Sequence, residues 1–558
     1  MKKGIRPEVW VLVFLILGLT VIVIYPLWQI VSRAFSYNGM LSLESIRQTW
    51  GDPLNQLALT RSLTVSGFGT LFSVLLGSLL AWIVTRTDIP HVRLVKTLLI
   101  TPFLIPPFVG AIAWLQLLGP VGYLNKLLMW MTGSGEPLFI IYGPVGIILV
   151  MTFFSYPTVF LIMCAALEKM DATLEEAAFM SAAGKWNVLK DITVPIMAPA
   201  IGSAALLVFS HDMANFGIPA ILGMPRGYLV LTTKIFQAIQ NFGLKNNFNF
   251  ASALAMELLI MAITALFIQK IYTSKKQYTV VTGKSAHPRT MSMGTWKYIL
   301  FGFAMVLFIC TTLAPITAIV LSSIIKAVGL PPGPANWTFN NYSYVLLRSQ
   351  TTIRALRNSL FLGVASATIT TILGGLISYY SVRSKLRGHQ VADFIGSLPY
   401  TIPGTVLGLA IILAWSKPIA GVTIYDTIWI ILLAYVTNYL TLSIRTTSAS
   451  FAQIHESLDE AARMSGASWW RTMVDVVIPL VKPGLIASWF LVFMPSFREL
   501  TLSILLWSVG NETIGVSVFN LSQGGQPQYA SAMGVILIVI LFTGNFLTRK
   551  LTKGNYGF

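Results

Sequence analysis

The sequence predicts an all-α polytopic membrane protein of about twelve transmembrane helices, arranged as two tandem six-helix halves. Three observations carry that expectation. Of 558 residues, 55% are hydrophobic and only 10% charged, whereas an ordinary soluble domain is roughly a quarter charged. Apolar runs able to cross about 30 Å of hydrocarbon, roughly 20 residues as a helix, recur along the whole chain. A stretch of polar helix formers, EEAAFMSAAGKWNVLKDITVPI at 175–196, returns as DEAARMSGASWWRTMVDVVIPL at 459–480 with nine of 22 positions identical.

In the first half the apolar runs cover 9–31, 59–84, 96–118, 138–165, 196–221 and 250–272. In the second they cover 297–325, 355–382, 390–416, 425–447, 483–508 and 529–549. Their length, and the lack of period-2 alternation, favour helices over a barrel, since lipid demands backbones satisfied within each segment. The first run follows Lys2, Lys3 and Arg6, yet it is too long for a signal peptide and no small-residue cleavage site precedes Tyr25, Pro26 and Trp28, so it reads as a retained helix. With both termini cytoplasmic, 25 of the 38 basic residues fall inside, 12 outside and Arg498 within a span. That asymmetry follows the positive-inside rule and accounts for the +18 net charge without a nucleic-acid partner. Cys164 and Cys310 both fall in spans and form no disulfide or metal pattern.

The repeat extends beyond the opening motif. At an offset of 297, Ser62, Gly77 and Arg86 align with Ser359, Gly374 and Arg383, and Pro102, Ile105 and Pro106 with Pro399, Ile402 and Pro403. By the polar motif the offset has dropped to 284, which places about 13 extra residues in the first half, most simply in the outer loop 119–137. Six spans in the same order make the repeat parallel, with an axis near the membrane normal. The first half is 1–272, a polar and basic cytoplasmic linker 273–296, and the second half 297–558.

Each copy of the motif carries Glu-Ala-Ala, Glu176, Ala177 and Ala178 against Glu460, Ala461 and Ala462, with Pro195 and Pro479 19 residues after the Glu. An acidic first turn and alanines favour a short helix, with Asp171 or Thr173 and Ser457 as caps, and the proline is expected to open the next span. Small side chains let a partner surface approach closely, and the Glu offers a charge across the contact. The alternative, an amphipathic helix lying on lipid, wants a basic polar face, which Glu175, Glu176, Asp459 and Glu460 oppose.

The motif resembles the EAA loop of permease subunits of ABC importers, whose pattern is EAA, three residues, Gly, nine residues, Ile, one residue, Leu-Pro. The second copy has Gly466 in place, with Val476 and Ile478; the first has Ala182 at that position and Gly184 two residues on. The segments NFGIPAILG with YLVLTTKIF, FRELTLSILLW with ETIGVSVFNL, and GPVGYLN extend the likeness to two-domain ferric-iron-type permeases over almost the whole chain. The resemblance implies a type I ABC importer permease fold. It also implies a coupling helix in each half seated on one of two copies of a cytoplasmic ATP-binding subunit, a solute-binding protein on the outer face, and residence in a bacterial or archaeal plasma membrane. No GxxxxGK[ST] phosphate loop occurs in the chain. ATP and its Mg therefore belong to the partner subunit, and no cofactor is expected in this chain.

Charged groups within hydrocarbon are costly and mark candidate pathways: His211 with Asp212, Glu257, Asp393, and Arg498 with Glu499. At the 284 offset Asn215 aligns with Glu499, so Asp212, Asn215, Arg498 and Glu499 form the candidate path; the alternative is a set of helix-to-helix bonds that never meet cargo. The family's ADFG reads here as Ala214, Asn215, Phe216 and Gly217, an amide in place of the acid. Ferric iron is the leading cargo, with thiamine, aminoethylphosphonate and sugar phosphates as family alternatives. No metal-ligand cluster is visible among five scattered histidines. Twelve outer basic residues against Glu44, Asp52, Glu136, Asp426 and Glu512 offer a surface for an acidic binding protein. The rival from another class, an ion-gradient-driven transporter, gives no reason to duplicate an EAA helix, and no HExxH or Ser/His/Asp arrangement marks an intramembrane enzyme.

Overall fold

Apolar segments of this length must satisfy their backbones internally, and the chain does so with helices. The computed structural model describes residues 7–551 apart from 171–172, 242–245, 276–289, 329, 331–332, 385, 387, 419–420, 422 and 456. Among the described residues, 11 helices are long and apolar enough to cross a membrane, and one bent pair makes a twelfth. The strands among them are the two-residue pair Ser36–Tyr37 and Met40–Leu41.

In each half the second, fourth and fifth spans pack together: Pro53–Arg86, Pro144–Lys169 and Val194–Met213, then Gln350–Arg383, Ile428–Ala452 and Ile478–Phe497. The aligned glycines mark where the second span crosses the fourth. A Cβ at Gly77 would stand 2.7 Å from Val159 Cβ and 2.8 Å from the Tyr156 carbonyl, and one at Gly374 would collide with Ser443. Small residues here let two backbones approach, which is what helix association in lipid rewards.

Prolines reshape several spans relative to the expected straight runs. The expected spans 96–118 and 390–416 are each broken: 3-10 turns at Thr101–Leu104 and Leu398–Thr401 lead through extended Ile105 and Ile402 into helices Pro107–Leu118 and Gly404–Trp415. The second break bends the chain by 115°. Pro195 and Pro479 do not open spans. The helix runs from Trp186 to Met213, and from Trp470 to Phe497, with the proline inside it. Wide π turns at Thr20–Ile24, Leu189–Thr193, Ile309–Leu313 and Met473–Val477 each end two residues before a proline, namely Pro26, Pro195, Pro315 and Pro479. A proline ring crowds the carbonyl one turn back and supplies no donor, so widening that turn lets the helix continue. The expected fifth spans, 196–221 and 483–508, therefore begin earlier and stop at Met213 and Phe497. Short helices Gly217–Leu222 and Ser503–Leu506 follow them.

The halves interleave. Pro107–Leu118 packs against Ala314–Ser323, Ile514–Gln523 and Pro527–Leu551 of the second half, and Gly404–Trp415 against Tyr25–Ala34, Leu231–Gln240 and Asn247–Lys275 of the first. The first span of each half reaches across as well, Pro7–Leu19 onto His389–Ser397 and Trp296–Phe308 onto Val92–Ile100. The two largest cores accordingly mix residues from both halves: Phe216 and Phe236 lie against Phe519, and Leu254 and Leu258 share a core with Leu407 and Leu409. The linker closes on the first half, where Met291 N donates to the Arg86 carbonyl at 2.7 Å and Met293 N to Asp88 Oδ1 at 2.9 Å.

Candidate coupling helices and interhalf polar site

Each EAA segment forms a short helix, Thr173–Met180 and Ser457–Met464, followed by one helical turn that leads into the fifth span. Both helices end the same way. Ala183 N donates to the Ala178 carbonyl at 3.0 Å and Ala467 N to the Ala462 carbonyl at 3.1 Å. Between them lies a residue in the left-handed region, Ala182 at φ 60° and Gly466 at φ 81°, as a Schellman ending requires. Ala182 thus occupies the glycine's conformation itself, while Gly184 does not adopt positive φ. The expected cap Asp171 lies outside the described residues, as do the side chains of Thr173 and Glu460. Glu176 is half-buried, Ala177 and Ala461 are exposed, and Ala178 and Ala462 half-buried.

The exposed face carries large apolar groups that the motif reading passed over. Met180 and Met464 are each 89% exposed, and Trp186 and Trp470 72% and 67%. Both pairs are identical across the repeat at the 284 offset, which was the available signal. Adaptable methionines and aromatics beside an acidic turn suit a protein partner.

The first copy is moored by a buried charge. Arg86, fully buried at the end of the second span, lies 3.8 Å from Glu175 Oε2 and donates to the Met170 carbonyl at 3.5 Å. Thr193 Oγ1 donates to Glu175 Oε1 at 2.7 Å. Its aligned partner Arg383 donates to the carbonyls of Phe451 and Ile454; Ile454 corresponds to Met170, while Val477 stands where Thr193 would be. Glu175, rather than Glu176, is therefore the buried anchor of the first copy.

At the other end of each fifth span, Asn215 and Glu499 do the same work. Asn215 Oδ1 accepts from Ile218 N at 3.1 Å. Glu499 Oε1 accepts from Leu502 N at 2.8 Å and Oε2 from Ser503 N at 2.9 Å. Both cap the short helix that follows, as side-chain oxygens at helix starts do. Further along, Ser62 Oγ accepts from Leu231 N and Ser359 Oγ from Ile514 N, each at 2.8 Å, so aligned serines of the second span hold the start of the next helix in both halves.

Asp212 faces inward among the first half's own helices. Its Oδ1 accepts from Ser155 Oγ at 2.6 Å, and Oδ2 is buried without a hydrogen bond, beside Gly69. Asp393 pairs with Arg445 at 3.7 Å, and Glu257 keeps a buried Oε2 with no partner. Arg498 alone of the four path candidates reaches across the halves, its Nη1 donating to the carbonyls of Phe103 and Leu104 at 3.1 Å each. The structure thus brings Arg498 to the seam and turns Asp212 and Glu499 into helix contacts.

The chain matches the family model for the binding-protein-dependent transport system inner membrane component twice, over residues 69–277 and 370–554. It is 26% identical to the ferric transport system permease protein FbpB of Actinobacillus pleuropneumoniae over 97% of this chain and 78% of that protein. It is 25% identical to Fe(3+)-transport system permease protein FbpB 2 of Haemophilus influenzae, over 98% and 99%. A probable sulfate transport system permease protein cysT of Marchantia polymorpha is 28% identical over 38% of this chain and 70% of its own length. Among solved structures, a bacterial alginate ABC transporter in complex with an alginate pentasaccharide-bound periplasmic protein gives a TM-score of 0.37 at 18% identity, covering 47% of this chain and 96% of that one.

Proposed function

Because the chain belongs to the binding-protein-dependent transport system inner membrane component family, with two copies of its domain in tandem, we propose that it imports ferric iron, both termini lying in the cytoplasm. It is a multi-span permease of an ABC transporter and not an enzyme; a separate ATPase hydrolyses the ATP. In the proposed cycle two ATPase copies, binding ATP and Mg, sit one under each of Thr173–Met180 and Ser457–Met464. A binding protein delivers cargo at the outer face. The carrying observation is the pair of exposed Met and Trp faces, Met180 with Trp186 and Met464 with Trp470, with Trp186 and Trp470 at the start of the continuous helices Trp186–Met213 and Trp470–Phe497.

That continuity supplies the mechanism. The span Trp186–Met213 has 28 residues, so at about 1.5 Å per residue it is a rod of about 42 Å. A push on its cytoplasmic end is carried past Pro195 to the capped break at Asn215, and in the second half past Pro479 to Glu499. When ATP draws the motor copies together, the rods tilt together and the seam between halves opens alternately to either side. Ferric cargo is supported by relatives named for ferric transport that align over 97% and 98% of this chain. The test is ATP-dependent uptake of 55Fe by proteoliposomes holding the permease, its ATPase and its binding protein. Glu460→Lys is expected to remain in the membrane while ATPase activity loses its tie to uptake. Normal uptake by that variant overturns the role of the second copy, and uptake that survives without ATP overturns the importer reading.

A further inference from the structure

The seam between the halves is lined by a cation whose acidic neighbours are turned away from it. His211, near the end of the first half's fifth span, is exposed and interacts electrostatically with Arg498. Arg498, Asn438 and Tyr439 are half-buried at the same place, and Tyr439 interacts electrostatically with Glu499 and, less strongly, with Arg498. Arg498 bonds residues of the other half, so these groups lie at the seam between the halves. Arg498 commits only Nη1 to the Phe103 and Leu104 carbonyls. Its Nε and Nη2 make no hydrogen bond, are not sealed from solvent, and Arg498 forms no ion pair among the described residues. Glu499 gives both oxygens to Leu502 N and Ser503 N, and Asp212 is bound to Ser155 and buried.

A bare cation would meet an uncompensated guanidinium here and no accessible carboxylate. The Nε and Nη2 edge instead offers two parallel N–H donors, the geometry that matches two oxygens of a phosphate or carboxylate. We propose that Arg498, with His211 and Tyr439, forms an oxyanion-binding site in the translocation path. Cargo then crosses with an oxyanion attached, and ferric iron, on the reading above, passes as a complex bearing a phosphate or carboxylate ligand. Neutralising the metal's charge with its own ligands removes the repulsion that the seam would otherwise impose.

The test measures equilibrium binding of 32P-labelled inorganic phosphate to the detergent-purified permease–ATPase complex without nucleotide. Saturable binding is expected in the wild type, weakened at least tenfold in Arg498→Gln and largely kept in Arg498→Lys. Tyr439→Phe and His211→Gln, which leave the Phe103 and Leu104 contacts intact, are expected to weaken binding two- to fivefold and keep the proposal testable if Arg498→Gln does not assemble. Absence of saturable binding, or equal binding in all variants, overturns the site. Double-label uptake separates this from the cargo reading. Phosphate bound at Arg498 with no 55Fe uptake removes ferric iron and keeps the anion site. Uptake of 55Fe at wild-type rate by Arg498→Gln, with no 32P entering, removes the anion site and keeps ferric iron.

Discussion

Replacing Glu175 with Ala should loosen the helix Thr173–Met180 without touching its exposed face. The carboxylate is 4% exposed and takes a 2.7 Å hydrogen bond from Thr193 and the charge of Arg86 at 3.8 Å. Arg86 is 0% exposed, its Nε and Nη1 have no hydrogen bond, and its remaining contact is the long one to Met170. Removing Glu175 therefore strands a buried guanidinium, a change that costs about 3–5 kcal/mol when one member of a buried pair is deleted. At 1.4 kcal/mol per decade, local opening rises roughly a hundred- to a few-thousand-fold. Amide hydrogen exchange over 173–193 reads this directly, alongside the ratio of ATP hydrolysed to cargo moved. Glu175→Gln, which keeps an acceptor for Thr193, should fall between. Arg86→Met with Glu175→Leu, which removes both charges, should recover most of the protection. Exchange within threefold of wild type in Glu175→Ala, with coupling intact, refutes the anchoring role.

Ala182→Gly should stabilise the first helix ending by about 1 kcal/mol, since a non-glycine residue at positive φ is strained, and Gly466→Ala should cost the second about the same; thermal melting of the purified complex checks both. Asn215→Ala should cost about 1 kcal/mol as a lost cap and slow uptake while leaving ATP binding unchanged, with Asn215→Asp close to wild type in both assays. Burial raises the Glu512 carboxyl, but the Arg354 hydrogen bonds at 3.0 Å and the Gly510 N–H outweigh it and hold the group below the usual glutamate range. Its stabilising effect is thus complete above the ordinary glutamate pKa and lost as pH falls through the depressed value. Arg354→Met should move that acid loss to higher pH, read as melting temperature against pH.

Much of this fold was legible because its causes are local. The spans follow from apolar length, and the tandem halves from repeated residues. Four π turns are marked in the sequence by a proline two positions beyond Ile24, Thr193, Leu313 and Val477. The Schellman endings were equally local: Ala182 aligns with Gly466, and both adopt the left-handed turn. The exposed Met180 and Trp186 are not distinguished by sequence, because identity across the repeat is equally compatible with a buried framework and a bare face, and only burial separates them.

The sequence by itself determined the number, order and duplication of the helices, and where each is wet, because hydrocarbon charges a fixed penalty per polar group wherever the chain crosses it. Only the tertiary structure decided which charges face the seam. Asp212, Arg498 and Glu499 look alike as intramembrane ionisable residues. Their roles separate once neighbours are known: Ser155 takes one, the Leu502 and Ser503 amides take another, and Arg498 is left reaching between halves. Those partners lie 57 residues from Asp212 and 395 from Arg498. Direction around a helix is set by packing with such distant segments, and no local pattern encodes it.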